Sequence, residues 1–192
     1  MIVYHSDMPK IFIFRHGQTT DNKENIFSGW RNVDLTPEGI EEAKAIAKKL
    51  EDQKPTKAFH SDLIRSAHTL EIVLQPHPNT PVFADARIKE RDYGDLTGTS
   101  KIELKEKDPQ HFELWHRSYN VPPPNGESIE MVEKRVIPFL EEMLKTSVPA
   151  DVIFISGHGN SIRPMRKFFE HISNEAMCSY EYIPAEIFAY TI

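Results

Sequence analysis

Two short apolar runs, each closing on a His-Gly step, constrain this chain more than any other feature. The first reads Ile11-Phe12-Ile13-Phe14 and continues into Arg15-His16-Gly17. The second reads Val152-Ile153-Phe154-Ile155 and continues into Ser156-Gly157-His158-Gly159. Runs apolar at every position, rich in β-branched and aromatic residues, predict strands buried on both faces of a parallel sheet. In open α/β sheets, ligands bind in the crevice beyond the carboxyl ends of the strands. Two imidazoles are thus expected to face one crevice, with the Arg15 guanidinium beside the first. That layout suits an anion, and a phosphoryl group in particular.

The remaining pattern alternates as α/β folds do. Thr36-Pro37-Glu38 opens a helix with a capping hydroxyl, a proline at the first helical position and an acid in the first turn. Ile40, Ala43, Ala47 and Leu50 lie along its expected core face, and Pro55 follows its end. Further strands are predicted at Ala58–His60, Pro81–Phe83 and Ala185–Tyr190, the last as a closing edge. Further helices are predicted over Leu63–Leu74, Ile129–Met143 and Asn160–His171. The stripe Ile129, Val132, Val136, Leu140 and Met143 marks a core-facing helix. Residues 85–124 are mostly polar, with short helical pieces at Lys101–Lys107 and Pro109–Ser118 and a rigid turn at Pro122-Pro123-Pro124-Asn125-Gly126. They read as an insert over the site. The fold expected is an α/β/α sandwich with a mostly parallel sheet, in one domain spanning 1–192, after a loose lead-in over residues 1–9.

Bulk properties narrow the function. The 192 residues carry a formal net charge of −6, and no basic run interleaves with aromatics, which argues against a nucleic-acid partner. No apolar stretch reaches the ~20 residues of a membrane span, and the N-terminus lacks the apolar core of a signal peptide. The single cysteine, Cys178, has no intrachain partner and reads as a packing residue. A cytoplasmic setting is expected.

The chemistry can be read from individual residues. A neutral imidazole attacks phosphorus well once the phosphoryl oxygens are neutralised and the leaving oxygen receives a proton. His16 fits the nucleophile. Arg15 and Arg65 fit the cations, and His158 a charged donor. Asn160 stands at a helix N-terminus, whose free N–H groups bind phosphate. Glu90, in Lys89-Glu90-Arg91-Asp92-Tyr93-Gly94, is the general-acid candidate. The other histidines lack comparable contexts. No His-Glu-x-x-His or paired-Cys spacing suggests a metal site.

Taken in order, these motifs resemble the histidine phosphatase superfamily, and within it the bisphosphoglycerate-dependent phosphoglycerate mutases. The supporting stretches begin with Arg15-His16-Gly17-Gln18-Thr19, Asn22, Phe27-Ser28-Gly29-Trp30 and Val33-Asp34-Leu35-Thr36. They continue with Arg65-Ser66-Ala67-His68-Thr69, Glu90-Arg91-Asp92-Tyr93-Gly94, Leu96-Thr97-Gly98, Trp115 and Glu127-Ser128, and close on His158-Gly159-Asn160-Ser161-Ile162-Arg163. The resemblance implies that His16 carries the phosphoryl group and that Glu90 donates and accepts the proton of the substrate hydroxyl. It implies that Arg15, Arg65 and His158 clamp the transferring group, with Asn22, Gly159 and Asn160 adding hydrogen bonds. Ser28, Gly29, Arg91, Tyr93, Lys101, His116 and Arg117 would hold the rest of a small phosphorylated carboxylic acid. The implied cofactor is 2,3-bisphosphoglycerate, which primes the phosphohistidine, with five cations (Arg15, Arg65, His158, Lys101, Arg117) in place of a metal.

Two departures bear on activity. The family shows two arginines after the tryptophan, whereas His116 and Arg117 follow Trp115 here, so one fixed charge becomes titratable. Longer members also carry sequence between the proline turn and the Glu-Ser motif, and a tail after the last strand. Here Pro124 joins Asn125 directly and the sequence closes on Ile192, which implies weaker exclusion of water from a phosphoenzyme. The sequence therefore leaves open a mutase, a phosphatase acting through the same phosphohistidine, and, least supported, a non-catalytic phosphate binder.

Overall fold

The structure, a computed structural model, describes residues 8–192; the lead-in expected over residues 1–9 lies mostly outside the described residues. The elements follow in the order β1 (Lys10–Arg15), α1 (Thr20–Lys23), α2 (Pro37–Leu50), β2 (Lys57–His60), α3 (Ile64–Val73) and β3 (Val82–Ala84). After them come α4 (Lys101–Lys107), α5 (Pro109–Arg117), α6 (Ile129–Lys145), β4 (Val152–Gly157), α7 (Gly159–Glu170), α8 (Asn174–Ser179) and β5 (Ile187–Thr191). The sheet order is β3-β2-β4-β1-β5. The first four strands of that order run parallel, and β5 closes the edge antiparallel to β1.

The continuous apolar runs are explained by a sheet covered on both faces. Successive strand residues point to opposite faces, so Ile11 and Ile13 of β1 join Ile153 and Ile155 of β4 against Val132, Val136, Leu140 and Met143 of α6 and Ile162 of α7. Phe14 and Phe154 face the other way, onto Ile46 and Leu50 of α2 and Leu70 and Val73 of α3. Each such side chain contributes about 1.5–3 kcal/mol when fully buried. The three layers expected from the sequence are present. The polar insert is held by a small core of its own, Phe27, Tyr93, Leu96 and Phe112.

The expected core face of α2 is displaced by one residue. Gly39 and Ile46 are buried in place of Ile40 and Ala47, while Ala43 and Leu50 are buried as expected. The cause is the docking of the α2 N-terminus against the chain leaving β1. A Cβ on Gly39 would stand 2.1 Å from the Gln18 carbonyl oxygen, and one on Gly17 would stand 2.2 Å from the Gly39 oxygen. Thr36 seals this contact: its hydroxyl accepts from Gly39 N–H at 3.1 Å, and its own N–H donates to the Gln18 oxygen at 2.9 Å. The segment thus fixed is the one that carries His16. Two elements escape the sequence reading, the single turn α1 and the six-residue helix α8.

The close approach yields a sign reversal. Gly→Ala in a helix ordinarily stabilises by up to about 1 kcal/mol. Gly39→Ala is expected to destabilise by about 1–3 kcal/mol through overpacking against backbone, read as a lowered urea midpoint at unchanged m-value.

Candidate active site

The parallel register of β1 and β4 sets Arg15 opposite Gly157, so His16 and His158 leave the sheet side by side. Their rings lie 5.0 Å apart between centroids, and His16 N–H donates to the Gly157 oxygen at 3.0 Å. After β1 the chain passes to α2 on one face of the sheet, and after β4 to α7 on the other. The crevice opens between these two strands, where the connections diverge.

Both imidazoles are buried and oriented. His16 Nδ1 lies 2.7 Å from the Gly17 carbonyl oxygen, which can only accept, so Nδ1 carries the proton. Nε2 keeps its lone pair, and Arg65 Nε stands 3.3 Å from it. Burial, Arg65 and Arg15 hold the His16 pKa well below the ordinary histidine range. His158 Nε2 lies 2.7 Å from the hydroxyl of Ser61, which also accepts from Leu63 N–H at 3.2 Å. Nε2 is the one acceptor within reach of the Ser61 hydroxyl among the described residues, which assigns the Ser61 proton to it and leaves Nδ1 as the donor of a neutral ring, buried and without a protein partner. Burial, Arg65 and His16 hold the His158 pKa well below the ordinary range. A second cation on a buried ring beside Arg65 is electrostatically disfavoured; the charge expected of His158 is tied to an anionic ligand in the cleft.

Two guanidiniums frame His16. Arg65, on the first turn of α3, is anchored by carbonyls, donating to Gly29 O at 2.9 Å and Arg31 O at 2.8 Å. Burial lowers its pKa to about 10, which leaves it charged at neutral pH. Arg15 lines the cavity with a buried, unpartnered Nε. Carbonyl anchors position the charge without cancelling it.

Glu90 reaches the same cavity from the insert. Its Oε1 accepts from Arg91 N–H at 2.6 Å and from Asn160 N–H, in the first turn of α7, at 3.2 Å. Its backbone carbonyl accepts from Trp30 Nε1 at 2.7 Å and Arg135 Nη2 at 2.9 Å. Arg135 also donates to the Arg87 and Lys89 carbonyls and pairs with Glu127 through both Nε and Nη2. One arginine of α6 therefore pins the loop that presents Glu90. Sequence reasoning missed Arg135, which lies off the apolar stripe of α6, although its partner Glu127 stood in a quoted motif.

The cavity encloses about 160 Å³, and Lys101, His116 and Arg117 line it together with Asn22, Ser28, Tyr93, Gly159 and Asn160. The charges form two groups. His16 and His158 feel Arg65 and Arg15, whereas His116, whose pKa is pushed down to about 3 by burial first, feels Arg117, Lys101, Arg91 and Arg163. His116 is therefore neutral, not a titrating substitute for arginine near neutral pH. Asn160 Nδ2 donates to the Tyr93 hydroxyl at 3.1 Å, and Ser28 Oγ donates to Asp21 at 2.7 Å. Three expected residues lie off the wall, the first being His158, which is fully buried beside the His16 ring. Gly29 contributes the carbonyl that anchors Arg65, and Arg91 is fully buried behind the Tyr93 ring, 4.5 Å from its centroid, donating to the Trp115 carbonyl. Arg163, Glu181 and Tyr182 line the cavity without having been expected, so Arg163 supplies the fifth cation in place of His158.

The histidine phosphatase superfamily (branch 1) model matches residues 11–191, and the chain belongs to that superfamily. It is similar to the 2,3-bisphosphoglycerate-dependent phosphoglycerate mutase of Nitrobacter hamburgensis, 40% identical over 177 residues, 89% of this chain and 86% of that protein. The protein of the same name from Cytophaga hutchinsonii is 40% identical over 171 residues, covering 88% and 80%. Among solved structures, the mycobacterial glucosyl-3-phosphoglycerate phosphatase complexed with VO3 matches with TM-score 0.85 at 22% identity, covering 94% of this chain and 91% of that one. The alpha-ribazole phosphatase from Shigella flexneri matches with TM-score 0.81 at 23% identity, covering 94% and 89%. No helix among the described residues is long and apolar enough to cross a membrane.

Two outcomes follow from the electrostatics. Nitrogen-15 NMR of the imidazoles is expected to show His16 and His158 neutral and protonated on Nδ1 at pH 6. Ser61→Ala should release the His158 tautomer while leaving that of His16 in place. The histidines also set an acid limb. The folded state keeps His116 neutral while the unfolded chain takes up its proton below about pH 6.5, so stability falls as pH drops from there toward about 3. His116→Gln is expected to flatten that fall by about 1.4 kcal/mol per pH unit, the effect of one proton, in urea unfolding compared at pH 6 and pH 4.5.

Proposed function

We propose that this protein is a 2,3-bisphosphoglycerate-dependent phosphoglycerate mutase that interconverts 3-phosphoglycerate and 2-phosphoglycerate through a phosphohistidine on His16 Nε2. The observation that carries this reading is the two-ended charge pattern of one small cavity. Arg15 and Arg65 beside the nucleophile suit the transferring phosphoryl group, while Lys101 and Arg117 suit a second acidic group. A volume near 160 Å³ suits a substrate below the 300–1,000 Å³ of drug-sized ligands. The relatives named as such mutases support the reading, and a glycolytic and gluconeogenic role follows from it.

The residues present fit the two phosphates of this cofactor: the unpartnered Arg15 Nε and His158 Nδ1 suit one, and Lys101 with Arg117 the other. When bound, 2,3-bisphosphoglycerate supplies the phosphoryl group that first loads His16. In the forward half-reaction a substrate hydroxyl attacks the phosphorus on His16. The P–N bond breaks, a P–O bond forms, and Glu90 takes the hydroxyl proton. In the second half-reaction His16 Nε2 attacks the other phosphoryl group, the P–O bond breaks, and Glu90 returns the proton to the leaving oxygen. Arg65 and Arg15 neutralise the equatorial oxygens throughout, and His158 Nδ1–H donates to one of them.

A second reading, phosphomonoester hydrolysis through the same phosphohistidine, is favoured by one observation. A second opening of about 160 Å³ reaches Arg15 and His16 past Gln18, Glu42 and residues 182–185, giving water a route to the phosphoenzyme.

Phosphorus NMR with 3-phosphoglycerate, a trace of 2,3-bisphosphoglycerate and excess EDTA separates the two. The expected outcome is 2-phosphoglycerate with little free phosphate; phosphate release without isomerisation would overturn the mutase reading. His16→Ala should abolish both activities. Glu90→Gln should slow transfer about 10²-fold or more, with substrate binding retained.

A further inference from the structure

Besides Glu90, the described residues put one more carboxylate on the cavity wall, that of Glu181. It lies between α8 and β5, and it forms an ion pair with Arg117 Nη2 from the end of α5. The backbone on both sides of it is held. Arg163 donates to the carbonyls of Met177 at 2.6 Å, Cys178 at 2.9 Å and Tyr180 at 2.8 Å. The Tyr182 hydroxyl donates to the Gly159 carbonyl at 2.8 Å, and the Arg166 guanidinium lies 3.8 Å from the Tyr180 ring centroid. The Glu181 side chain itself is 74% exposed. It can therefore leave Arg117 by a change of rotamer, with no movement of the main chain.

Arg117 has no other ion-pair partner among the described residues, and Lys101 has none. The second group of cations is thus half occupied by a carboxylate that the protein itself supplies. We propose that Glu181 is a specificity-determining residue: its carboxylate sits on Arg117 in the seat of the substrate's distal acidic group, and a ligand gains that seat only by displacing it. The proposal rests on the two-ended reading of the cavity given above. A ligand whose far end is neutral leaves the Glu181–Arg117 pair intact. A ligand whose far end is anionic breaks that pair and gains both Arg117 and Lys101. The pair is exposed enough to yield easily, since pairs of this kind shift an equilibrium by no more than about fivefold.

The test uses the intact protein and two probes. In calorimetric titration with inorganic phosphate alone, the parent chain is expected to bind one phosphate and Glu181→Gln a second, weaker one. Adding Arg117→Gln to that variant should remove the second phosphate. For 2,3-bisphosphoglycerate, Glu181→Gln is expected to lower Kd by about fivefold. One phosphate in both chains, or a second phosphate that survives loss of Arg117, overturns the proposal. The failure of the mutase reading is a separate outcome: 2,3-bisphosphoglycerate then binds neither chain, while the gain of a second phosphate in Glu181→Gln still reports on Glu181.

Discussion

The site depends on one constraint, the in-register parallel pairing of β1 with β4. Arg15 pairs with Gly157, and this places His16 and His158 at the same level of the sheet on adjacent strands. Parallel register is enforced from both faces at once, because a slip of one residue would exchange the sets that pack on α6 and α7 with those that pack on α2 and α3. Ile13 would then meet a surface shaped for Phe14. The 5.0 Å spacing of the imidazoles is therefore a property of the hydrophobic core as much as of the loops that carry them. The Gly17–Gly39 contact fixes the other coordinate, since it sets how far the chain beyond β1 lies from the α2 N-terminus.

Electrostatics built on this frame run against solvation. Arg65 is almost wholly buried, and its guanidinium meets carbonyls at close range rather than a carboxylate. A buried charge of this kind is costly unless its donors are satisfied, and two carbonyls satisfy Nη1 and Nη2 while leaving the positive field intact. Burial, reinforced by that field, keeps His16 neutral, the state in which Nε2 can attack. The neutral form of His158 has the same origin, with Ser61 choosing which nitrogen carries the proton. A cavity with neutral imidazoles and uncancelled guanidiniums is preorganised for an anion and needs little rearrangement when charge develops.

Much of this was legible in the sequence, for reasons that differ from element to element. The strands could be read because burial on both faces leaves no polar position between Ile11 and Phe14 of β1 or between Val152 and Ile155 of β4. Helix α6 could be read because its apolar stripe is complete, from Ile129 to Met143. The face of α2 was read one residue out because Gly39 has no side chain by which to signal its burial. Helix α8 and the segment after it were missed because six residues carry too little periodicity and the tyrosines beyond them none. Ser61 and Arg135 escaped for a related reason: a single hydroxyl after a strand and a single cation on a helix have no signature until the partners, His158 and the Glu90 loop, are in place. His16, Arg15, Arg65, Glu90 and His158 were visible because each sits in a local motif, and the fold brings those motifs to one cavity.

The walls of that cavity come from two segments with little else in common. The insert supplies Glu90, Lys101, His116 and Arg117, held from below by Arg135. The stretch between α8 and β5 supplies Glu181 and Tyr182, held by Arg163 and Arg166 of α7. Helices α6 and α7 pack against each other over the sheet, so arginines from one helical layer position both walls. The chemistry at His16 then depends on groups anchored to the same rigid layer as the strand ends, which is how an active site keeps its geometry while its rim stays open to substrate. The Arg117–Glu181 pair is the one ionic link between the two walls among the described residues, and both of its members line the cavity. Rigid walls joined by a weak, exposed ion pair let charge, rather than main-chain movement, govern what enters.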